Sequence, residues 1–295
     1  MERWTLLILS SSVFLAFYDI CKKSSVRDNA VLPVLLGSTI CGCAAYLVST
    51  GLTVGFSAVH GVTWRIVGLS AVKSLIVASS WVFTFMGLRT LPISIATPIR
   101  ASAPALVFLI ACPLYGEVPT FVQLGGILLV LGGYLTFSWA GKAEGIDFFR
   151  NRAVWCAILG AVLSAVSSLW DKYLLQVAKL PVLSMQFFFQ VFLVVVYGLL
   201  LATMFAFRSR RLGYGAKFEW RWTIPCVGIL LALADYIYFV GLSIPDVPIS
   251  VASLLRRFSV VITFVLGARI FRETNLCRKA LALAAILAGI TLLVL

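Results

Sequence analysis

Two long apolar stretches each contain an arginine, which is costly inside a membrane unless it meets a partner or a ligand. The stretches begin PISIATPIRA (92–101) and PISVASLLRR (248–257), and they place Arg100 and Arg256 at matched positions. A guanidinium can hold a carboxylate or a phosphate through two parallel hydrogen bonds. We therefore predict that Arg100 and Arg256, with the adjacent Arg257, bind an anionic group of a substrate.

Other polar and aromatic side chains in apolar stretches extend this candidate site, because a buried polar group needs a partner or a cavity. The further predicted substrate-binding residues are Lys73, Trp81, Asp235, Gln186, Gln190 and Trp170. Asp19 and Asp171 are predicted to couple transport to a proton or cation.

A structural role is the alternative for each of these groups. The arginines could extend towards headgroups or pair with Asp235 or Asp171, and the two glutamines could join neighbouring helices. The candidate local partners of the two coupling carboxylates are Lys22, Lys23 and Lys172.

The composition predicts an integral membrane protein, since 61% of the 295 residues are hydrophobic and 12% are charged. A soluble domain is about 45–50% apolar and about 25% charged. Ten apolar stretches approach the length of about 17–25 residues that a spanning helix needs. Their predicted limits are 4–21, 31–51, 66–88, 93–115, 120–139, 153–176, 181–207, 222–242, 249–271 and 279–295.

Several other classes of protein are disfavoured by the same composition. The net charge of +13 comes mostly from loop lysines and arginines that orient a membrane protein, so we expect no nucleic acid as partner. The seven cysteines lack metal-ligand spacing, and no nucleotide-binding Walker A motif is present. We expect no cofactor, no metal and no enzymatic activity.

The two arginine-bearing phrases belong to an internal repeat. At an offset of 156 residues, Arg100 aligns with Arg256, Glu117 with Glu273 and Gly133 with Gly289. We predict a first five-helix repeat over 1–139, a polar linker over 140–152 and a second repeat over 153–295. Because five is odd, the second repeat must cross the membrane in the opposite sense, as in many secondary transporters.

The segment ASAPALVFLIACPLYGEVPTFVQLGGILLVLGGYL (101–135) resembles the second hairpin of an EamA domain in the drug/metabolite transporter superfamily. It has a proline-containing span, a GE turn and a glycine-rich last span. The resemblance implies an all-α membrane fold of ten transmembrane helices in two inverted five-helix repeats. Arg256 and Arg257 also resemble the basic pair in the ninth span of sugar-phosphate members, although Ala101 stands opposite Arg257 in the first repeat. Glu117 and Glu273 are expected to stabilise the starts of the helices that follow them.

The charges outside the predicted spans indicate an orientation. Three lysines and arginines lie on the side of the N-terminus and sixteen on the other side, including Lys22, Lys23 and Lys279. The positive-inside rule therefore places both termini outside the cytoplasm, the reverse of the usual expectation for the family. We expect a multi-pass protein of a bacterial inner membrane, monomeric, with a dimer as the alternative.

The predicted function is secondary transport of a small polar metabolite by alternating access. The excess of cations over carboxylates among the intramembrane charges favours an anionic or zwitterionic substrate. The expected partners are this small molecule and the lipid bilayer. A lipid-carrier flippase is the first alternative, and a membrane enzyme acting on lipid-linked substrates is the second.

Overall fold

The structure is a computed structural model, and it is all-helical over the residues that it describes. These are residues 3–53, 63–103, 105–106, 109–110, 120–142, 148, 150–174, 178–206, 217–242 and 255–294. The described residues form ten helices. Their bounds are α1 Arg3–Val26, α2 Val31–Thr53, α3 Trp64–Thr90, α4 Ile93–Ala101, α5 Phe121–Lys142, α6 Arg152–Lys172, α7 Val182–Ala206, α8 Thr223–Leu242, α9 Phe258–Ile270 and α10 Leu276–Val294.

Five helical segments are long and apolar enough to cross a membrane. They are Trp4–Val26, Val31–Val48, Trp64–Thr90, Arg152–Asp171 and Ser184–Met204. At about 1.5 Å of rise per residue, each reaches roughly the thickness of the hydrocarbon core. The chain is therefore a multi-pass membrane protein, as its composition predicts.

Helix α1 of the first half packs along α8 of the second half, and the two run antiparallel. Near the middle of α1, Ser11 Oγ donates to the carbonyl oxygen of Ala234 at 2.7 Å. Near its end, Ser25 Oγ donates to Thr223 Oγ1, also at 2.7 Å. Small hydroxyl side chains let the helices approach closely while their own polar groups stay satisfied.

Helices α3 and α6 form a second antiparallel pair, again with one helix from each half. Ser80 Oγ donates to the carbonyl oxygen of Gly160 at 2.7 Å. A Cβ at Gly87 would lie 3.0 Å from the backbone oxygen of Ala153, so only glycine fits this close approach without movement of its neighbours. Each of these two pairs therefore joins the two halves of the chain at close range.

Helices α5 and α10 pack against each other through matched glycines, because small residues allow a close approach of two helices. A Cβ at Gly133 would lie 2.9 Å from the carbonyl oxygen of Ala282, and a Cβ at Gly289 would lie 2.6 Å from that of Gly126. The partners exchange at the repeat offset, because residue 126 corresponds to 282 and 133 to 289.

Helix α4 is short, and its N-terminus is held by a glutamate of the other half. Pro92 precedes the helix and Pro98 lies inside it. Glu273 Oε1 accepts from the N–H of Ile93 at 2.5 Å, and its Oε2 accepts from the N–H of Ser94 at 3.2 Å and from the Ser94 hydroxyl. The expectation that Glu273 serves the helix following it is thus corrected: its carboxylate satisfies the free N–H groups that begin α4. Glu117 lies outside the described residues.

Three lysines predicted to lie in loops are buried within helices. Lys22 and Lys23 are 2% and 6% exposed and belong to α1, which extends to Val26 rather than ending at residue 21. Lys279 is 0% exposed in α10, 3.6 Å from Glu273. Carboxylates, aromatic faces and backbone carbonyls compensate these ammonium groups, so the helices continue through them. The predicted orientation therefore depends on the other lysines and arginines of that count.

Candidate functional site

Asp19 joins two cations at the interface of α1 and α4. Arg100, in the last turn of α4, donates to Asp19 Oδ2, and Lys22 Nζ lies 3.2 Å from Asp19 Oδ1. The last turn suits an arginine because the C-terminal end of a helix carries partial negative charge. Asp19 is fully buried. Lys22 is one of the local partners that the sequence offered for Asp19 as the alternative to a coupling role. The bond to Arg100, by contrast, joins residues 81 positions apart.

Arg256 has a separate carboxylate partner in the second half. Its guanidinium donates to Asp235 Oδ1 of α8 and lies 4.1 Å from the centre of the Tyr238 ring. Asp235 and Tyr238 are three positions apart, so they share one face of the helix. An ion pair and a cation–π contact together hold this guanidinium.

Arg257 differs from both of these arginines. It stands at a turn immediately before α9, although no proline interrupts the chain there. Its Nε is buried and has no hydrogen-bond partner among the described residues. A buried guanidinium nitrogen without a partner is costly, and the N-terminal end of a helix offers a cation no compensation.

The charged groups of the two halves lie near one another. Arg257 is within electrostatic range of both Arg100 and Arg256. Tyr18, which precedes Asp19, is within range of Arg100 and of Asp235. The structure therefore brings together the three predicted arginines, one predicted coupling carboxylate and Asp235.

A small cavity of about 20 Å³ lies between the two halves. Trp81 of α3 and Gln190 of α7, both predicted site residues, line it together with Tyr18, Phe85 and Gly228. A volume of this size holds about one water. The conformation is therefore closed around this cavity, and a metabolite would need the helices to separate.

A second cavity has a volume of about 10 Å³. Lys22 and Arg100 line it with the hydroxyl-bearing Thr84 and Thr97. Lys22 Nζ lies 4.7 Å from the centre of the Tyr18 ring and 5.2 Å from that of Phe85. Because these two rings line the first cavity, Lys22 stands between the cavities.

Three predicted site residues form a cluster elsewhere along α3. Lys73 Nζ lies 2.9 Å from Asp171 Oδ1 and 4.7 Å from the centre of the Phe189 ring. Trp170 donates its ring N–H to the carbonyl oxygen of Leu69 at 3.4 Å. Lys73 is twelve residues from Phe85, or about 18 Å along a helix. Asp171 thus has a partner on another helix, and the side chain of Lys172 lies outside the described ones.

Gln186 is half-buried in α7 and does not line the cavity that Gln190 lines. The two amides are one turn apart, but only Gln190 faces the space between the halves. A role of Gln186 in substrate binding stays a prediction.

Sequence reasoning missed Lys22, Tyr18 and Phe85 as members of the site. The signal for Lys22 was its place three residues after Asp19, which puts both groups on one helix face. Tyr18 and Phe85 gave no such signal, because an aromatic residue in an apolar helix usually packs in the core.

Comparison with known proteins agrees with this architecture. Residues 2–139 match the model of the EamA-like transporter family. A solved crystal structure, described only as that of a protein, is similar to the chain with a TM-score of 0.60 and 18% sequence identity, covering 98% of this chain and 96% of its own. This likeness concerns the fold alone. No curated protein matches the chain at a significant level.

The family match falls on the half that contains α1 to α5, including Asp19, Lys22 and Arg100. The resemblance read from the GE turn and the glycine-rich last span is confirmed. The first half of the chain thus matches the EamA-like transporter family, as the resemblance predicted.

Proposed function

We propose that this protein is a secondary active transporter of a small polar metabolite that is anionic or zwitterionic. The observation that carries the proposal is the buried Nε of Arg257, which has no hydrogen-bond partner among the described residues. An anionic substrate group would satisfy this guanidinium, and its binding would offset the cost of burying the charge.

Arg100 and Arg256 support this site in a different way from the one their matched positions suggested. Asp19 neutralises Arg100, and Asp235 neutralises Arg256. Asp235 is 38% exposed and Arg256 is 22% exposed, so this pair is accessible to a ligand. A substrate carboxylate or phosphate would bind Arg257 first and then compete with Asp235 for Arg256, while a substrate ammonium would be attracted to Asp235.

The packing of the helices supports an inverted repeat and alternating access. In a two-fold repeat, α1 corresponds to α6 and α3 to α8. Replacing each helix by its counterpart turns the pair α1–α8 into α6–α3, which is the other long antiparallel pair. The pairs α5–α10 and α4–α9 exchange into themselves. Counterparts that pack antiparallel, as α5 and α10 do, are what an inverted repeat requires.

Coupling to a proton or cation is proposed for Asp171 and Asp19. Asp171 is 37% exposed beside Lys73, whereas Asp19 is 0% exposed. Protonation of Asp171 would break its ion pair with Lys73. Because Lys73 lies on α3 and Asp171 on α6, this helix pair between the two halves would lose one of its contacts. Gln190 and Trp81 would bind the body of the substrate through hydrogen bonding and stacking.

Uptake into proteoliposomes tests the proposal. The panel comprises amino acids, sugar phosphates, nucleotide sugars and quaternary ammonium cations, each radiolabelled. We expect uptake of at least one anion or zwitterion, and we expect Arg257→Gln to reduce its kcat/KM by about tenfold or more, the effect of about 1.4 kcal/mol.

Arg269→Gln is the matched control, because Arg269 lies in the last turn of α9, the helix that Arg257 precedes, and is exposed. This variant should transport at the rate of the unmodified protein. Wild-type rates in Arg257→Gln would contradict the binding site, and uptake of cations alone would contradict the substrate class. If lipid-linked compounds were transported and none of the soluble compounds in the panel were, the protein would instead be a lipid-carrier flippase.

We further propose that both termini lie outside the cytoplasm of a bacterial inner membrane. The surplus of lysine and arginine on the opposite side of the predicted spans supports this orientation. A reporter that is active only outside the cytoplasm, fused after Leu295, should be active. Activity of a cytoplasmic reporter at the same position would reverse the assignment.

A further inference from the structure

Lys22 is a buried cation for which the fold offers only part of a partner. It is 2% exposed, and its ammonium lies 3.2 Å from Asp19 Oδ1. That oxygen has no hydrogen bond of good geometry, so the contact is electrostatic. The other oxygen, Oδ2, accepts from Arg100. One carboxylate therefore serves two cations.

The neighbouring Lys23 shows what a purely structural buried lysine looks like in this helix. Its Nζ donates to the carbonyl oxygens of Leu88 at 2.6 Å and Leu91 at 2.5 Å. These oxygens end α3, where a cation is favoured. Lys22 donates no such hydrogen bonds to carbonyls in the described part of the chain.

The charges around Lys22 do not balance. Within the described residues, the cations of the site are Lys22, Arg100, Arg256 and Arg257, and its carboxylates are Asp19 and Asp235. Four cations face two carboxylates. Two positive charges without an offsetting carboxylate in this set thus remain for a ligand to neutralise.

The position of Lys22 suits contact with such a ligand. It lines one cavity with Arg100, while Tyr18 and Phe85, which flank its ammonium, line the other with Trp81 and Gln190. When the helices separate, the two cavities would merge at Lys22. The charged end of a substrate would then meet Lys22 and Arg100, and its body would meet Trp81 and Gln190.

We propose that Lys22 is a specificity-determining residue that makes the transporter prefer a doubly charged, water-soluble phosphate monoester to a singly charged carboxylate. The inference rests on the proposed transport of anions and adds the substrate's charge class. A phosphate monoester carries a charge of about −1.5 to −2 near neutral pH, which matches the two unbalanced cations. A carboxylate would neutralise only one of them.

The test compares substrates that share a body and differ in charge. Glucose 6-phosphate, glucuronate and glucose form one such set, and uridine monophosphate with uridine forms another. Each is offered to proteoliposomes at pH 7.5 as a labelled substrate and as a competitor. We expect the phosphate of at least one set to have a kcat/KM about tenfold or more above that of its less charged analogues.

Lys22→Gln should reduce this preference to about twofold or less, and Lys22→Arg should retain it. Folding of the glutamine variant is expected, because Asp19 keeps Arg100 as its partner. Lys23→Gln is the matched control: it should lower the thermal stability of the protein and leave the charge preference unchanged. Size-exclusion profiles and thermal unfolding report folding independently of transport.

The outcomes separate this inference from the proposed function. If anions are transported but Lys22→Gln keeps the wild-type preference, Lys22 is structural and the inference fails while anion transport stands. If only neutral or cationic compounds are transported, the proposed function fails as well. The inference would also be overturned if vesicles containing phosphatidic acid inhibited the uptake of labelled substrate while soluble phosphates did not. The phosphate recognised by the protein would then belong to a lipid.

Discussion

At the scale of single residues, the proposed anion binding depends on which charges are paired and which is not. The arginine positions and the nearby carboxylates were evident in the sequence, since each interrupts an apolar stretch. Their pairing was not, because Arg100 bonds Asp19 from 81 positions away while Arg256 bonds Asp235 only 21 positions away. Spacing along the chain does not reveal which helices become neighbours. Asp19 and Asp235 thus bind the other two arginines, and the Nε of Arg257 has no hydrogen-bond partner among the described residues.

Asp19→Asn should destabilise the protein strongly. The substitution leaves the buried Lys22 and the partly buried Arg100 without the charge they share, and removing one member of a buried ion pair costs about 3–5 kcal/mol. Thermal unfolding in detergent, followed by tryptophan fluorescence, should show a Tm lower by several degrees.

Asp28→Asn provides the comparison for this measurement. Asp28 also pairs with an arginine, Arg27, but it is 87% exposed, and such surface pairs contribute at most about 1 kcal/mol. Its Tm should stay close to that of the unmodified protein. Equal Tm values for the two asparagine variants would show that Asp19 does not neutralise its two cations.

At the scale of helices, the apolar stretches predicted where helices occur but not always where they end. α1 runs on to Val26 because Lys22 and Lys23 find partners that lie far away in sequence. The turn at Arg257 could not be predicted, since no proline marks it. The predicted span 93–115 likewise did not show that α4 ends at Ala101, three residues after Pro98. Helix ends that depend on tertiary partners are therefore not readable from the apolar pattern.

The contact between Glu273 and the N-terminus of α4 should contribute to the thermal stability of the protein. Glu273→Ala removes the acceptors of Ile93 and Ser94, and loss of a helix-capping side chain costs about 0.5–2 kcal/mol. It also removes the carboxylate that lies 3.6 Å from the Lys279 ammonium. We expect a lower Tm, with Glu273→Gln in between because an amide oxygen can still accept a hydrogen bond.

Glu219→Ala is the control for this helix cap. Glu219 is 67% exposed, and its carboxylate contacts Arg221. Its removal should change the Tm little, as expected for a surface ion pair. If Glu219→Ala and Glu273→Ala lower the Tm equally, the interaction between the halves at α4 contributes no stability of its own.

At the scale of the whole molecule, composition alone predicted a multi-pass helical membrane protein, and the repeated phrases predicted two related halves. The glycines at 133 and 289 then proved to pack against each other's helix at exchanged positions. What sequence did not indicate is that each of the two cavities beside Lys22 is only large enough for about one water. The size of an internal space depends on how helices from both halves close around it.

The central claim is that an anion binds at Arg257, and ligand-induced stabilisation measures this directly. A ligand that binds only the folded protein adds about 2.7 kcal/mol of stability at 100 times its Kd. With the best anion from the uptake panel, the Tm of the unmodified protein and of Arg269→Gln should rise by several degrees. Addition of the same concentration of the anion should leave the Tm of Arg257→Gln unchanged. An equal rise of the Tm in this variant would contradict binding of the anion at Arg257.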